Sequence, residues 1–268
     1  MIKLRVDVLL MQRGLVESRS QAQRLVMAGQ VRAAGQVVQK PSDLVSETAD
    51  LQIESGPEFV SRGGEKLAAA LARFPIEVKG CVCADVGSST GGFTDCLLQR
   101  GAAKVYSIDV GYGILHWKLR QNPKVIVMER TNARYVHTLP ETVALVTLDA
   151  SFISLKILLP VAMGWLPVEG GDVVPLIKPQ FEAGREEAQR GEGVIRDAKV
   201  HRQVLEEVLN FAVQQGYALK GLITSPLRGP KGNIEFLAHL STKKEGASLP
   251  IDGAIQAILP EFPPGQTT

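Results

Sequence analysis

Apolar and polar residues follow two different rhythms along this chain, and the change falls near residue 60. Before it, Val6 to Gln12 has the spacing of a short helix closed by Gly14. Ser18 then caps a second helix, with Gln21 in the reciprocal capping position and Gly29 at its end. Ala22, Leu25 and Val26 share one face of that helix, while Arg19 and Arg24 project elsewhere. Val31, Val37, Val38, Leu51 and Ile53 fall in short strand-like segments separated by Gly35, Pro41 and acidic turn residues. The pattern predicts a small α+β module over residues 1–55.

Gly56-Pro57 interrupts this rhythm, so residues 56–62 read as a linker. From Gly63 onward, apolar runs alternate with helical patterns. The expected strands are Cys81 to Gly87, Val105 to Val110, Val125 to Met128, Ala144 to Ala150, Asp172 to Lys178, Leu219 to Ser225 and Ile234 to Leu240. Such alternation predicts an α/β fold, a Rossmann-like, doubly wound, seven-stranded sheet over residues 63–245. Pro175 would cost a ladder bond, which predicts an irregular or edge-lying strand there. Residues 246–268 read as a tail with a short helix near Ala254, fraying toward Pro263-Pro264-Gly265-Gln266-Thr267-Thr268.

Between the first expected strand and the helix from Phe93 to Arg100 lies Asp85-Val86-Gly87-Ser88-Ser89-Thr90-Gly91-Gly92-Phe93. A glycine-rich turn there lets backbone approach a ligand, and the helix start offers unpaired N–H donors. Its Gly-x-x-x-Gly-Gly spacing differs from the dinucleotide fingerprint and favours S-adenosylmethionine over NAD. In doubly wound sheets the ligand crevice lies beyond the carboxyl ends of the strands. Polar residues stand at those ends in register: Asp85, then Asp109, then Glu129 with Asn132 just beyond, then Asp149. Asp109 is the expected ribose ligand, Asn132 can meet an adenine edge, and Asp85 could orient the methionine ammonium through water. The expected cofactor set is therefore Asp85, Gly87, Ser88, Thr90, Gly91, Gly92, Phe93, Asp109, Glu129 and Asn132.

Composition narrows the classes. The three cysteines, Cys81, Cys83 and Cys96, are odd in number and lack zinc spacing, so neither a disulfide framework nor a metal is expected, and a reduced, cytoplasmic protein is. No run of 18 apolar residues and no signal-peptide pattern occurs in the sequence. Net charge is only +2, but residues 1–40 carry seven basic residues against two acidic ones. That clustering makes Arg5, Arg13, Arg19, Arg24 and Arg32 candidates for phosphate contact, with Arg62 added from the next domain's entrance. The histidines accompany no Ser-His-Asp pattern, so hydrolase chemistry is not expected, and His201 reads as a partly exposed helix residue.

Arg5-x-Asp7, then Ser18-Arg19-x-x-Ala22-x-x-Leu25, then Gly29-x-Val31-x-x-x-Gly35, resembles the S4-type RNA-binding module; Ala34 stands where that family usually has asparagine. The order of Ser61-Arg62-Gly63-Gly64-Glu65-Lys66-Leu67, Asp85 to Phe93, Glu129 to Arg134, Asp149 to Leu155, Lys178 to Glu182 and Gly229 to Glu235 closely resembles the TlyA family of ribosomal RNA methyltransferases, often labelled hemolysins. Their catalytic domain is similar to FtsJ-type ribose 2′-O-methyltransferases. The resemblance implies S-adenosylmethionine as cofactor, ribosomal RNA or ribosomal subunits as partner, a cytidine target, and a tetrad of Lys66, Asp149, Lys178 and Glu235 acting on a ribose hydroxyl. In that set Lys178 would serve as base or stabilise the developing alkoxide, positioned by the two acids. Three other readings compete: an RNA-binding protein without turnover, a membrane-active haemolysin, and more remotely an NAD-dependent dehydrogenase.

Overall fold

Ser18 takes extended backbone and its hydroxyl accepts the Gln21 N–H at 3.2 Å, so a helix starts at Arg19, where the capping pattern puts it. The computed structural model describes residues 2–54, 56–184, 192–229, 231–244 and 246–259. By its internal contacts the chain divides into two units, Met1–Glu58 and Phe59–Thr268. Ser55, Pro230 of the glycine-rich motif near Glu235 and the end of the tail, residues 260–268, lie outside the described residues.

In the first unit, β1 (Lys3–Arg5) leads directly into α1 (Val6–Gln12), and α2 (Arg19–Met27) packs against it. Val6, Leu9, Leu10, Ala22 and Val26 form the core with Val31, Val38 and Leu51. The strands β2 (Val31–Ala33), β3 (Gln36–Val37) and β5 (Leu51–Ile53) make one antiparallel sheet, and β4 (Leu44–Ser46) pairs with β1. Strand β1 is only three residues long, too short to show a period in the sequence. Ala34 and Gly35 turn the β2–β3 hairpin with φ of +50° and +79°, the left-handed pair that favours Asn-Gly.

In the second unit, α3 (Gly63–Arg73) precedes β6 (Val82–Val86), α4 (Gly92–Gln99), β7 (Lys104–Ile108), α5 (Trp117–Arg120) and β8 (Val125–Met128). Then follow β9 (Leu145–Leu148), α6 (Leu155–Met163), β10 (Asp172–Ile177), α7 (Pro179–Glu182), α8 (Ala198–Gln214), β11 (Ala218–Thr224), β12 (Phe236–Ser241) and α9 (Ile251–Ile258). The seven strands stand in the order β11-β12-β10-β9-β6-β7-β8, with β12 antiparallel to both neighbours. Strand period sorts the core into two layers: Cys83 and Leu145 pack with α3 and α4 residues, and Ala84 and Val146 with those of α6 and α8.

Pro175 does not lie at an edge: β10 runs between β9 and β12. It pairs with Leu148 of β9, while the ladder to β12 joins Val173 to Leu240 and Leu176 to Leu237 and skips the two residues between. The missing donor is absorbed in that interruption. The helix near Ala254 forms as α9, and Ile255 is fully buried against the sheet's outer layer.

Candidate active site

Chain order reverses between β6 and β9, and there the crevice opens beyond the strand ends. Gly87 leaves β6 with φ +81°, and a Cβ on it would sit 2.7 Å from the Asp149 carbonyl oxygen. Only glycine lets the two strand ends approach so closely. Gly92, at the start of α4, nests on the start of α3, where a Cβ would lie 2.7 Å from the Gly64 nitrogen. That contact brings the α3 terminus, and with it Lys66, to the crevice.

Three cavities meet here, and all three are lined by Gly87, Ser89 and Asp149. The first, about 460 Å³, lies over the glycine turn between Arg62, Thr90, Phe93 and Arg228. The second, about 640 Å³, is walled by Asp109, Asn132, Ala133, Ile153 and Leu158. The third, about 660 Å³, is lined by Lys66, Lys178, Glu235, Phe152, Phe181 and Gln180. The four charged residues expected to form a tetrad thus line one chamber, brought together from α3 and the ends of three different strand regions.

They stand as two ion pairs. Lys66 Nζ lies 2.6 Å from Glu235 Oε2, and Lys178 Nζ lies 2.6 Å from Asp149 Oδ1. Lys178 also donates to the carbonyls of Asp149 and Ala150 at 3.2 Å and to Ser151 Oγ at 3.1 Å. Burial pushes the Asp149 carboxyl above its ordinary range; Lys178 and Lys66 pull it back, and Glu235 adds to the push. Phe152 is the most conspicuous side chain at the rim: it is 90% exposed, has φ +63°, and its ring centre is 4.8 Å from that of Phe181. An aromatic ring left in water on strained backbone is not a packing choice.

The expected cofactor residues divide. Asp109 lines the second cavity and ties it to the glycine turn, accepting the Ser89 N–H at 2.8 Å and the Gly111 N–H at 2.7 Å. Asn132 lines it too, its carbonyl capping a helical turn through the Arg134 N–H at 3.2 Å. Ser88, Thr90, Gly92 and Phe93 line the first cavity, and Gly91 caps α4. Glu129 lines none of the three: it accepts the Gly113 N–H at 2.9 Å and pairs with Arg120 at 2.5 Å. Asp85 is wholly buried behind the turn, because strand period points it at α4, where Thr94 donates at 2.6 Å; Thr147 donates to its other oxygen at 3.1 Å. Burial raises its pKa to about 7 against those two hydroxyls.

Among the arginines, Arg62 lines the first cavity. The others belong to the first unit. Arg5 grips Asp7 with two bonds of 3.0 Å, and Arg19 adds a third at 3.0 Å, while both guanidinium side chains stay more than 40% exposed. Arg13 donates to the Glu47 and Ala49 carbonyls, Arg32 pairs with Glu54 at 2.5 Å, and Arg24 is exposed. His201, expected to be partly exposed, is 2% exposed, its Nε2 3.1 Å from the Ile195 carbonyl oxygen. Gln180, Phe152, Ser151 and Arg228 carried no signal of their own; each lies within or next to a motif, and only tertiary contact separates it from its neighbours. Among the described residues no cluster of His, Cys, Asp or Glu could hold a metal ion.

A mainly parallel sheet with a glycine turn at its switch point, beside a chamber of paired amines and acids, defines a methyltransferase-type domain. The FtsJ-like methyltransferase profile matches residues 59–242, and the S4 domain profile matches residues 4–51. YqxC of Bacillus subtilis is 49% identical over 248 residues, covering 91% of this chain and 88% of that protein. The 16S/23S rRNA (cytidine-2′-O)-methyltransferase TlyA of Mycobacterium tuberculosis is 45% identical over 251 residues, covering 91% and 92%. A solved structure from Streptococcus thermophilus that carries the hemolysin name has a TM-score of 0.69 at 44% identity, covering 96% of each chain. This chain belongs to the FtsJ-like methyltransferase family, in the TlyA group with an N-terminal S4 domain.

Proposed function

We propose that this protein is an S-adenosylmethionine-dependent methyltransferase that modifies a cytidine ribose 2′-hydroxyl of ribosomal RNA, gripping the RNA with its S4 unit and acting where ribosomes are, in the cytoplasm. The observation that carries the reading is the convergence of Lys66, Asp149, Lys178 and Glu235 on one chamber that shares Gly87, Ser89 and Asp149 with the two cavities over the glycine turn.

The crevice suits the cofactor. Asp109 offers a carboxylate for ribose hydroxyls, Asn132 a donor and an acceptor for adenine, and Ile153 and Leu158 an apolar wall; Arg62 and Arg228 suit a carboxylate at the other end. Bound there, S-adenosylmethionine supplies a methyl group already activated by its sulfonium. The protein's own task is to align the hydroxyl, remove its proton and exclude water. Lys178, fixed by its oxygen partners, relays the proton of the ribose hydroxyl to Asp149: as its amine takes that proton it gives one of its own to the carboxylate 2.6 Å away, which burial has made more basic. Lys66, with Glu235 as its only bonded partner among the described residues, turns its positive charge toward the developing oxyanion. Phe152 against Phe181 gives a target base taken out of its stack an aromatic face beside the chamber.

The test is transfer of labelled methyl from S-adenosylmethionine to ribosomal subunits of a strain lacking the gene, with the product digested and identified. We expect 2′-O-methylcytidine, and for Lys178→Ala a loss on the order of 100- to 10,000-fold. Unchanged transfer by that variant removes the catalytic assignment. No helix among the described residues is long and apolar enough to cross a membrane; the haemolysin reading is tested separately by dye leakage from liposomes.

A further inference from the structure

We propose that Gln180 is a positioning residue of the methyl-transfer chamber: a neutral donor that fixes Glu235 and, through it, Lys66, so that the two ion pairs hold one geometry. The inference rests on the reaction proposed above. Glu235 is 2% exposed, and its two oxygens are held from different sides, Oε2 by Lys66 at 2.6 Å and Oε1 by the Gln180 amide at 3.2 Å. Behind it Gly229 packs so closely that a Cβ there would lie 2.6 Å from Oε1. A carboxylate with one charged and one neutral donor has its plane set without losing its charge, which remains available to hold the Lys66 ammonium.

The connection runs through a single tripeptide. Lys178 is the N-cap of α7, Pro179 its buried first residue and Gln180 its second. Lys178 reaches Asp149, and Gln180, two residues on, reaches Glu235. Proline fixes φ between them, so the distance from one pair to the other is set by backbone. The far end of α7 is anchored as well, since Glu182 accepts the Ser154 hydroxyl at 2.6 Å and the Leu155 N–H at 2.8 Å. A purely structural role explains the glutamine poorly. Its amide oxygen is buried with no hydrogen-bond partner among the described residues, a penalty that an apolar side chain of similar volume would avoid. The donor is what an amide offers at this position that an apolar side chain does not.

The measurement is single-turnover methyl transfer to ribosomal subunits between about pH 6 and 9, with cofactor affinity by calorimetry and melting temperature recorded for each variant. Gln180→Met should fold and bind S-adenosylmethionine like the parent, yet transfer about 10- to 100-fold more slowly. Gln180→Glu sets a second carboxylate against Glu235; one of the two then takes up a proton, and the rise of the rate with pH moves to higher pH. Gln180→Met at the parental rate, a loss of rate matched by equal losses of cofactor affinity and melting temperature, or an unmoved profile for Gln180→Glu would each overturn the role. A parent protein that transfers no methyl group removes the reaction and the role together; an active parent with an equally active Gln180→Met removes the role alone.

Discussion

Asp7 in the first unit and Asp85 in the second are both wholly buried carboxylates, and the two environments move them in opposite directions. Asp7 is held well below the usual carboxylate range, first by its bonds from Arg5, with Gln23 and Arg19 adding, against the effect of burial. Asp85 is raised to about 7, because burial outweighs the Thr94 and Thr147 hydroxyls. The difference lies in the partners: guanidinium groups bring charge into contact, and hydroxyls bring only dipoles. The S4 unit therefore carries a settled charge that organises two half-exposed arginines, whereas the methyltransferase unit keeps a carboxyl that titrates beneath its glycine turn. Asp149 lies between these cases, raised by burial although two lysines oppose it.

The contrast can be broken most severely at the chamber. Lys66→Ala leaves Glu235, 2% exposed, without its cation; methyl transfer should fall on the order of 100-fold or more, while RNA affinity, measured by filter binding, stays near the parent value. Next in size, Asp7→Ala removes the acceptor of four hydrogen bonds and should destabilise the S4 unit by about 2–3 kcal/mol, read as a lowered first transition in calorimetry.

The pH dependence of stability sharpens the same comparison. The depressed Asp7 stabilises the fold above its unfolded value and loses that contribution as pH falls below about 4. The raised Asp85 works the other way: its contribution is complete below about 4 and is lost as pH rises through about 7. Asp85→Asn should therefore flatten the decline in melting temperature between these limits, and an unchanged slope would show that Asp85 is not its source. The smallest effect belongs to the hairpin. Ala34→Asn replaces a residue strained at φ +50° with one that tolerates it, and should stabilise the S4 unit by about 0.5 kcal/mol in denaturant titration.

The parts of this molecule that could be read from its residues are those in which local pattern and tertiary position coincide. The glycine turn, Asp109, Asp149, Lys178 and Glu235 stand at ends of apolar runs, and in a doubly wound sheet such ends face one crevice, whereas Lys66 stands in the first turn of α3 and was marked by its motif alone. Glu129 stands at such an end as well, but Arg120, brought beside it at the end of α5, engages it instead. No periodicity reports that partner. Pro175 predicts an irregular or edge-lying strand because a proline lacks a donor, and of the two the structure has the irregularity: the strand is central, with one ladder broken and the other kept. Gln180 and Phe152 were hidden for a different reason: Gln180 lies two residues from Lys178 and Phe152 three from Asp149, and what sets them apart is where a side chain goes after the backbone has folded.

The passage of Gly87 across the end of β9 has a consequence for tolerance to change. Gly87 borders all three cavities at that point, and a single methyl group on it would sit 2.7 Å from the Asp149 carbonyl oxygen. Crowding there would push the end of β9 away from the glycine turn, so Gly87→Ala should weaken S-adenosylmethionine binding in calorimetry and slow methyl transfer together, a joint loss that a substitution bordering one cavity alone would not give.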